Sequence, residues 1–326
     1  MSFGDFELRK AAMPSTDSRR RIPPVISFLI VYAISALASA IPVWIYTLVR
    51  IFSPYMDIIE KYSPGSDEFC AAVESLYDSL AMSRGYMLTM LFSTFAMIAA
   101  TVIYCRFAEH RSLFSMGFRS HGALTYYIVG AVCGISLTAL SVWICCITGA
   151  QTPLVRGEYS VGIIIAFMLA YMIQGAAEEI FIHGFFMVSM STKYSLPFSV
   201  IASSTAFSLL HISNNGVSPI AFLNLFLFAT LNAIIVILTN QIWFSCAMHA
   251  FWNFAQGNIF GQSVSGFSIS DSVFTAKPQN HAVINGGAFG PEGGLAVTLV
   301  MLLSFIVISL IYRFIGKPAK RKYKIR

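Results

Sequence analysis

Gly175-Ala-Ala-Glu178-Glu179-Ile-Phe-Ile-His183-Gly184 lies inside an apolar run that extends from residue 161 to residue 190. The length and composition of this run predict a membrane-spanning helix. Two adjacent carboxylates inside such a helix are unfavourable, because each charge at the bilayer centre costs about 2.5 kcal/mol or more. Ionisable side chains at this depth commonly mark functional sites, so we expect the pair to meet polar partners from other helices.

The composition of the whole chain is that of an integral membrane protein. Of its 326 residues, 56% are hydrophobic and 11% are charged, and the mean hydropathy is +0.71; soluble domains carry about 25% charged residues. We therefore predict an all-α fold, a polytopic membrane helical bundle with about eight transmembrane helices. The predicted helices cover residues 25–52, 85–105, 122–148, 160–190, 196–212, 219–238, 242–256 and 293–315.

Basic residues predict the orientation of this bundle. They concentrate in residues 1–22, in the loop 106–119 and in the tail 316–326, and the positive-inside rule places all three segments in the cytoplasm. The predicted domain plan is a basic, disordered N-terminal segment 1–22, a transmembrane bundle 23–315 and a basic tail 316–326. The acidic segment 53–84 is predicted outside, with a short surface helix after Ser66.

The charge and the cysteines exclude several other classes of protein. The net charge of +6 lies mostly at the two ends, beside apolar spans, which fits membrane flanks and argues against nucleic acid as a partner. Five of the six cysteines lie in or next to apolar spans. This distribution predicts helix packing and gives no disulfide framework and no cysteine metal site.

The polar residues within the predicted spans point to one site built by three helices. Glu179 and His183 have the i,i+4 spacing of a side-chain pair on one face of a helix. Glu178 is turned about 100° from that face, so we expect its partner on another helix. Two further helices each carry an i,i+4 pair that can converge on one point, Phe207 with His211 and His249 with Asn253.

These residue types can hydrolyse an amide bond. Glu178 is a candidate general base that takes a proton from water while a neighbouring histidine, such as His211, orients that water. His249 and Asn253 can donate hydrogen bonds to the developing oxyanion. The same chemistry admits a zinc site with Glu178, His211 and His249 as ligands, although the sequence lacks H-E-x-x-H. The cofactor prediction therefore stays open between none and zinc.

A serine nucleophile is a weaker hypothesis. Ser203, Ser204 and Ser208 precede His211, but the sequence contains no G-x-S-x-G. Small hydroxyl residues in membrane helices commonly serve helix packing, and we assign that role to these three.

The motifs resemble those of the CPBP family of intramembrane proteases, which includes the CAAX prenyl endopeptidases and the bacteriocin-processing and Abi-type proteins. Glu178-Glu179-x-x-x-His183-Gly184, Phe207-x-x-x-His211 and His249-x-x-x-Asn253 occur in the family's order on successive apolar helices. The segment 286–294 is similar to a stretch common in bacterial members. The resemblance covers residues 160–295, the expected catalytic core, and implies the eight-helix bundle.

The resemblance also implies roles for the residues. Glu178 would activate the water with help from His211, His249 and Asn253 would form the oxyanion site, and Glu179 would support them. Position 183 departs from the family pattern, which has arginine there. Histidine binds a carboxylate as a cation only when protonated, so we expect a weaker, pH-dependent Glu179–His183 pair and admit an inactive member.

The predicted function is that of an intramembrane endopeptidase in a bacterial plasma membrane. Its substrate would be a membrane-associated peptide or protein, either with a C-terminal CAAX sequence or with a leader peptide. One alternative is a non-catalytic membrane scaffold or immunity protein that retains the protease fold. The other is an ion-coupled transporter in which Glu178 and Glu179 bind ions. Matching halves with broken helices would favour the transporter, and the sequence shows no such symmetry.

Overall fold

The computed structural model describes residues 6–13, 22–269 and 271–315. Arg19–Arg21 and the predicted basic tail 316–326 lie outside the described residues. Within them the helices are α1 Glu7–Ala12, α2 Pro24–Lys61, α3 Asp67–Ala81, α4 Arg84–Ser93, α5 Phe95–Ile103, α6 Ala123–Ile147, α7 Val161–Glu179, α8 Val188–Lys193, α9 Leu196–Leu209, α10 Pro219–Thr239, α11 Trp243–Phe254, α12 Ala282–Asn285 and α13 Leu295–Ile315. Three π-helical segments continue α5, α7 and α11, over Tyr104–Ala108, Ile180–Met187 and Ala255–Ile259.

The helical membrane bundle predicted from the sequence is confirmed. Six helical stretches in the described chain are long and apolar enough to cross a membrane, judged by length and composition. The other two predicted spans form as α9 and α11, which have only 14 and 12 residues. At 1.5 Å per residue such helices are shorter than the hydrocarbon core of about 30 Å. The predicted count of eight spans therefore becomes six full-length helices and two short ones.

The first helices differ from the prediction. The α1 helix replaces the predicted disorder in part of the N-terminal segment, since Phe6, Leu8 and Ala12 are buried against the bundle. The α2 helix continues past its predicted end to Lys61, even though it contains Pro42 and Pro54. The predicted surface helix forms as α3, with the Ser66 hydroxyl accepting a hydrogen bond from the amide of Phe69.

Loops gather at two opposite ends of the bundle. At one end, Glu7 of α1 forms an ion pair with Arg119, and its amide donates to Asn240 in the turn between α10 and α11. At the other end, strands β1 Val155–Arg156 and β2 Phe274–Thr275 pair antiparallel. The long segment 257–294, which we name the late loop, contains β2 and covers this second end.

Close packing of α6, α7 and α11 forms the centre of the molecule. A Cβ atom on Gly134 of α6 would lie 2.4 Å from the carbonyl oxygen of Met248 in α11, and one on Gly175 of α7 would lie 2.6 Å from the amide of Ala250. Glycine at these positions lets the backbones touch, as small residues do in other membrane helix pairs. These contacts place α7 directly beside the helix that carries His249 and Asn253.

A buried ion pair lies in the loop 106–119, which the sequence predicts to be aqueous. Arg111 is only 2% exposed and bonds Glu109 at 3.0 Å. It also donates to the hydroxyl of Ser189 and to the carbonyl oxygens of Gly184 and Phe185. This arginine therefore fastens the loop to the π-helical segment after α7. It is not an exposed topology signal.

Candidate active site

Glu179 is the most buried carboxylate of the site and joins two helices. Its side chain is 1% exposed. One carboxylate oxygen, Oε2, accepts from Nδ1 of His183 at 2.7 Å, and the other, Oε1, accepts from Nδ1 of His249 at 2.9 Å. The first contact is the i,i+4 pair expected from the sequence, and the second connects α7 to α11. Both oxygens are satisfied by ring N–H donors, which orients both imidazoles.

His183 makes this contact without needing a positive charge. A neutral imidazole protonated on Nδ1 donates to a carboxylate as well as the cation does. The other nitrogen, Nε2, is buried without a hydrogen-bond partner, and burying an N–H there without an acceptor would be unfavourable. The geometry therefore permits the Glu179–His183 contact without a charge on His183, and the weaker, pH-dependent pair expected from the sequence stays a prediction.

Glu178 lies next to this pair and is more accessible, with a side chain 20% exposed. Its Oε1 atom accepts a hydrogen bond of 2.6 Å from Nε2 of Gln174 in its own helix. Its Oε2 atom is buried, makes no hydrogen bond and lies 3.7 Å from Nε2 of His249. That separation exceeds a hydrogen bond but allows an ionic attraction. Glu178 thus has one partner on its own helix and, as expected, one on another.

Asn253 enters the site through Gln174. The Asn253 side chain donates from Nδ2 to Oε1 of Gln174 at 3.0 Å. Gln174 was not predicted as a site residue because it is uncharged and belongs to none of the three sequence motifs. An available signal was the position of this amide, four residues before Glu178 in an apolar helix, where unpaired polar groups are unfavourable.

His211 approaches the site from the turn that follows α9. Its Nδ1 atom bonds the carbonyl oxygen of Phe207 at 2.9 Å, which leaves Nε2 with the lone pair in the neutral ring. The Phe207 ring lies between two imidazoles, with centroids 4.8 Å from His211 and 5.8 Å from His249. His211 is therefore held near His249 through an aromatic contact, whereas the other site residues are joined by hydrogen bonds or an ion pair.

The ligand set proposed for zinc does not assemble. Among the described residues, no group of three or more His, Cys, Asp or Glu side chains has an arrangement that could hold a metal ion. The set Glu178, His211 and His249 is therefore not brought into ligand geometry.

The three serines of α9 bond within the helix bundle. Ser203 donates to the carbonyl of Val200, and Ser208 donates to that of Ser204. The Ser204 hydroxyl accepts from Thr230 of α10. These bonds support the packing role predicted for them.

A second buried carboxylate reaches the site from the late loop. Oε1 of Glu292 accepts from Nε1 of Trp252, the residue before Asn253, at 3.2 Å. Oε2 accepts from the amide and the hydroxyl of Ser265, both at 2.8 Å. The carbonyl of Ser265 in turn accepts from Asn214, three residues after His211. Glu292 therefore connects the helix of His249 and Asn253 with the turn that carries His211.

All the site residues predicted from the sequence lie between the start of α7 and the end of α11, and this part of the chain matches a known family model. Residues 160–255 match the family model described as Type II CAAX prenyl endopeptidase Rce1-like. This segment is similar to the Rce1-like endopeptidases, and we refer to it below as the Rce1-like domain. The match confirms the resemblance to the CPBP family that the three motifs carry.

The matching family is one of endopeptidases. The Rce1-like domain bears all the candidate site residues predicted from the sequence. Helices α1 to α6 and α13 lie outside the matched segment. No curated protein matches the chain.

Proposed function

We propose that the Rce1-like domain hydrolyses a peptide bond in a membrane-associated substrate, with Glu178 as the base that activates water. The observation that carries this proposal is the facing pair of Glu178 and His249. Oε2 of Glu178 is buried, makes no hydrogen bond and faces a histidine nitrogen at 3.7 Å. A water oxygen near this carboxylate atom can lose a proton to it and attack a carbonyl carbon.

The proton then has a complete path. As water attacks, one proton moves to Oε2 of Glu178, a C–O bond forms and the carbonyl oxygen becomes an oxyanion. Collapse of the tetrahedral intermediate breaks the C–N bond. Glu178 returns its proton to the leaving amine, and the remaining proton of the attacking water is lost as the carboxylate product ionises, so the enzyme is regenerated.

His249 and Asn253 are the proposed oxyanion donors. His249 lies between the carboxylates of Glu178 and Glu179, so a ring that carries a proton on each nitrogen would face a carboxylate on both sides. Nε2–H and an N–H of the Asn253 amide would then point into the same region as the base. Donors held in place before the reaction stabilise an oxyanion without reorganisation.

His211 is proposed to orient the attacking water. Its Nδ1 is used by the carbonyl of Phe207, so Nε2 can accept a hydrogen bond from the nucleophile. This assignment makes Glu178 the base and His211 the group that orients the water. The alternative ligand set for zinc is not arranged as ligands, and we therefore propose a glutamate mechanism.

The substrate class is proposed from the family. The family is described as one of CAAX prenyl endopeptidases, which favours a peptide with a C-terminal CAAX sequence; a leader peptide is the second possibility. We propose further that both termini lie in the cytoplasm, from the distribution of the basic residues, and that the membrane is a bacterial plasma membrane, from the similarity of segment 286–294 to a stretch common in bacterial members.

The test is a cleavage assay with the full-length protein in detergent. The probes are a farnesylated peptide that ends in a CAAX sequence and a set of leader-type peptides with a lipid anchor, each analysed by mass spectrometry. We expect wild type to cleave at least one probe and Glu178→Gln to lower kcat about 10²- to 10⁴-fold. The matched control is Glu158→Gln, which changes an exposed carboxylate near β1 and should leave kcat unchanged.

Each other outcome has a definite meaning. Cleavage by Glu178→Gln at the wild-type rate would contradict the assigned base. Loss of wild-type activity on adding 1,10-phenanthroline, with recovery on adding zinc, would contradict the glutamate mechanism. Well-folded wild type that cleaves none of the probes would favour the non-catalytic scaffold, and ion-driven uptake into proteoliposomes would favour the transporter.

A further inference from the structure

We propose that Gln174 is a positioning residue that fixes the base Glu178 and the oxyanion donor Asn253 relative to each other. This inference rests on the proposed function, because it assigns a task within the same hydrolysis. Gln174 lies on α7, one turn before Glu178, and is 9% exposed. Its amide hydrogen-bonds two members of the proposed catalytic set at once.

The two hydrogen bonds are short and use the two ends of one amide group. Nε2 of Gln174 donates to Oε1 of Glu178 at 2.6 Å. Oε1 of Gln174 accepts from Nδ2 of Asn253 at 3.0 Å. Both partners are side chains from the site, one on α7 and one on α11, so the amide spans the boundary between these helices.

The donors and acceptors of these groups permit only one orientation of the Gln174 and Asn253 amides. An ionised carboxylate can only accept hydrogen bonds, so Gln174 must turn its NH₂ group toward Glu178. Its carbonyl oxygen must then face Asn253, which in turn must present its own NH₂ group. The charge on Glu178 thereby orients the Asn253 amide as a donor, and the second N–H of that amide remains for the oxyanion.

The same contact selects the oxygen of Glu178 that reacts. Oε1 is occupied by Gln174, whereas Oε2 makes no hydrogen bond and faces His249. Because the water proton goes to Oε2, the bond from Gln174 to Oε1 persists when Glu178 is protonated. The positions of base and donor therefore stay coupled throughout the reaction.

Another buried amide of the bundle serves as a matched comparison. Asn232 of α10 is fully buried, and its Nδ2 donates to the carbonyl of Phe228 in its own helix. Its bond adds to the packing of one helix and joins no groups of the site. Asn232→Leu therefore removes a buried amide whose side-chain hydrogen bond lies within α10 and involves neither Glu178 nor Asn253.

The experiment compares Gln174→Met, Gln174→Glu and Asn232→Leu in the full-length protein with the peptide probe that wild type cleaves. Methionine keeps the length of the side chain and removes both hydrogen bonds. We expect kcat to fall about 100-fold, the effect of small misplacements of reacting groups, with KM nearly unchanged. Asn232→Leu should keep kcat of the same order as wild type, and thermal unfolding checks that each variant is folded.

Two readouts separate positioning from simple structural support. Glutamate at 174 places a second carboxylate against Glu178, and two such groups share a proton; the acidic limb of the pH–kcat profile should move to higher pH. In a double-mutant cycle, Gln174→Met and Asn253→Ala should be strongly non-additive, because both act through the same donor.

The inference and the proposed function fail in different ways. If wild type cleaves no probe, the proposed function fails, and the positioning role that rests on it fails with it. If wild type is active and folded Gln174→Met retains its kcat, Gln174 does not position the site. Additive effects in the cycle together with an unshifted profile for Gln174→Glu would also overturn the assignment.

Discussion

At the scale of single residues, Glu179 has an unusual task, because its carboxylate is enclosed and both oxygens face imidazole N–H groups. The bonds to His183 and His249 place a donor proton on Nδ1 of each ring. A comparable buried carboxylate in serine proteases holds the catalytic histidine in its tautomer. We interpret Glu179 as the group that orients His249, while Glu178 carries out the proton transfer.

Glu179→Gln tests this division of labour. Glutamine keeps the shape but offers one acceptor, so its NH₂ group must oppose a ring N–H or force one imidazole into its other tautomer. We expect the protein to fold and kcat to fall about 10²- to 10⁴-fold, as in the corresponding triad substitution. Steady-state kinetics beside a thermal melt measures both quantities. A folded variant with wild-type kcat would contradict the orienting role.

The sequence predicted part of this residue network. Glu178, Glu179, His183, His249 and Asn253 were expected to meet, and hydrogen bonds or an ion pair join them. Their catalytic roles stay predictions. The bridging amide of Gln174 and the carboxylate of Glu292 were not foreseen as site partners. One is uncharged, and the other is brought near Trp252 only by the path of the late loop.

At the scale of elements, the π-helical segment Ile180–Met187 makes α7 depart from a regular helix just after the two glutamates. Bonding in a π-helix shifts from i,i+4 to i,i+5, and such segments are frequent at functional sites. Two carbonyls of this segment, those of Gly184 and Phe185, accept from the guanidinium of Arg111. The buried Arg111–Glu109 pair thus stabilises the π-helical segment Ile180–Met187, which carries His183.

Arg111→Met should destabilise the protein by about 3–5 kcal/mol, because it leaves the carboxylate of Glu109 buried without its countercharge. The double variant Glu109→Leu/Arg111→Met removes both charges and should recover much of that loss. Thermal unfolding in detergent measures the difference. The control is Arg156→Met, an exposed arginine of β1. Equal stability of the single and the double variant would contradict this account.

The hydrophobic runs predicted which segments are helices. They did not predict where the helices end or where π-helical segments interrupt them. A pattern of apolar residues does not distinguish α from π bonding, so the three π-helical segments carried no signal. The α1 helix was missed because basic residues surround it. Its buried Leu8 and Ala12 are i,i+4 neighbours, too short a pattern to predict a helix of six residues.

At the scale of the whole molecule, the two groups of loops define an axis across the bundle. The first group includes α1, Arg119 and the turn at Asn240, and the second includes β1 and the late loop. If the proposed orientation is correct, the first group faces the cytoplasm and α3 lies outside.

Cysteine labelling measures this orientation. Cys70 on α3 is exposed, whereas Cys105, Cys145 and Cys246 are buried. We expect a membrane-impermeant maleimide to label Cys70 in intact spheroplasts, and a cysteine introduced by Lys193→Cys in a Cys70→Ser background only after lysis. The Cys70→Ser protein without the second change gives the background signal. The reverse pattern would show that the bundle is inserted the other way round.

The contacts between the late loop and distant parts of the chain could not be predicted from the sequence. The late loop reaches back to Arg84 through Asp271 and to the turn after α9 through Ser265. Its path depends on which loops share an end of the bundle. Glycine-rich and serine-rich composition predicts a loop but not its partners.

The late position of Glu292 in the chain also has a consequence for folding during synthesis. Every helix that carries a proposed catalytic group is synthesised before residue 255, yet the group that joins Trp252 to Ser265 comes almost forty residues later. The nascent chain therefore passes through a stage in which the proposed catalytic residues have been synthesised but the hydrogen bonds of Glu292 have not yet formed. These bonds can form only once Glu292 itself has been synthesised.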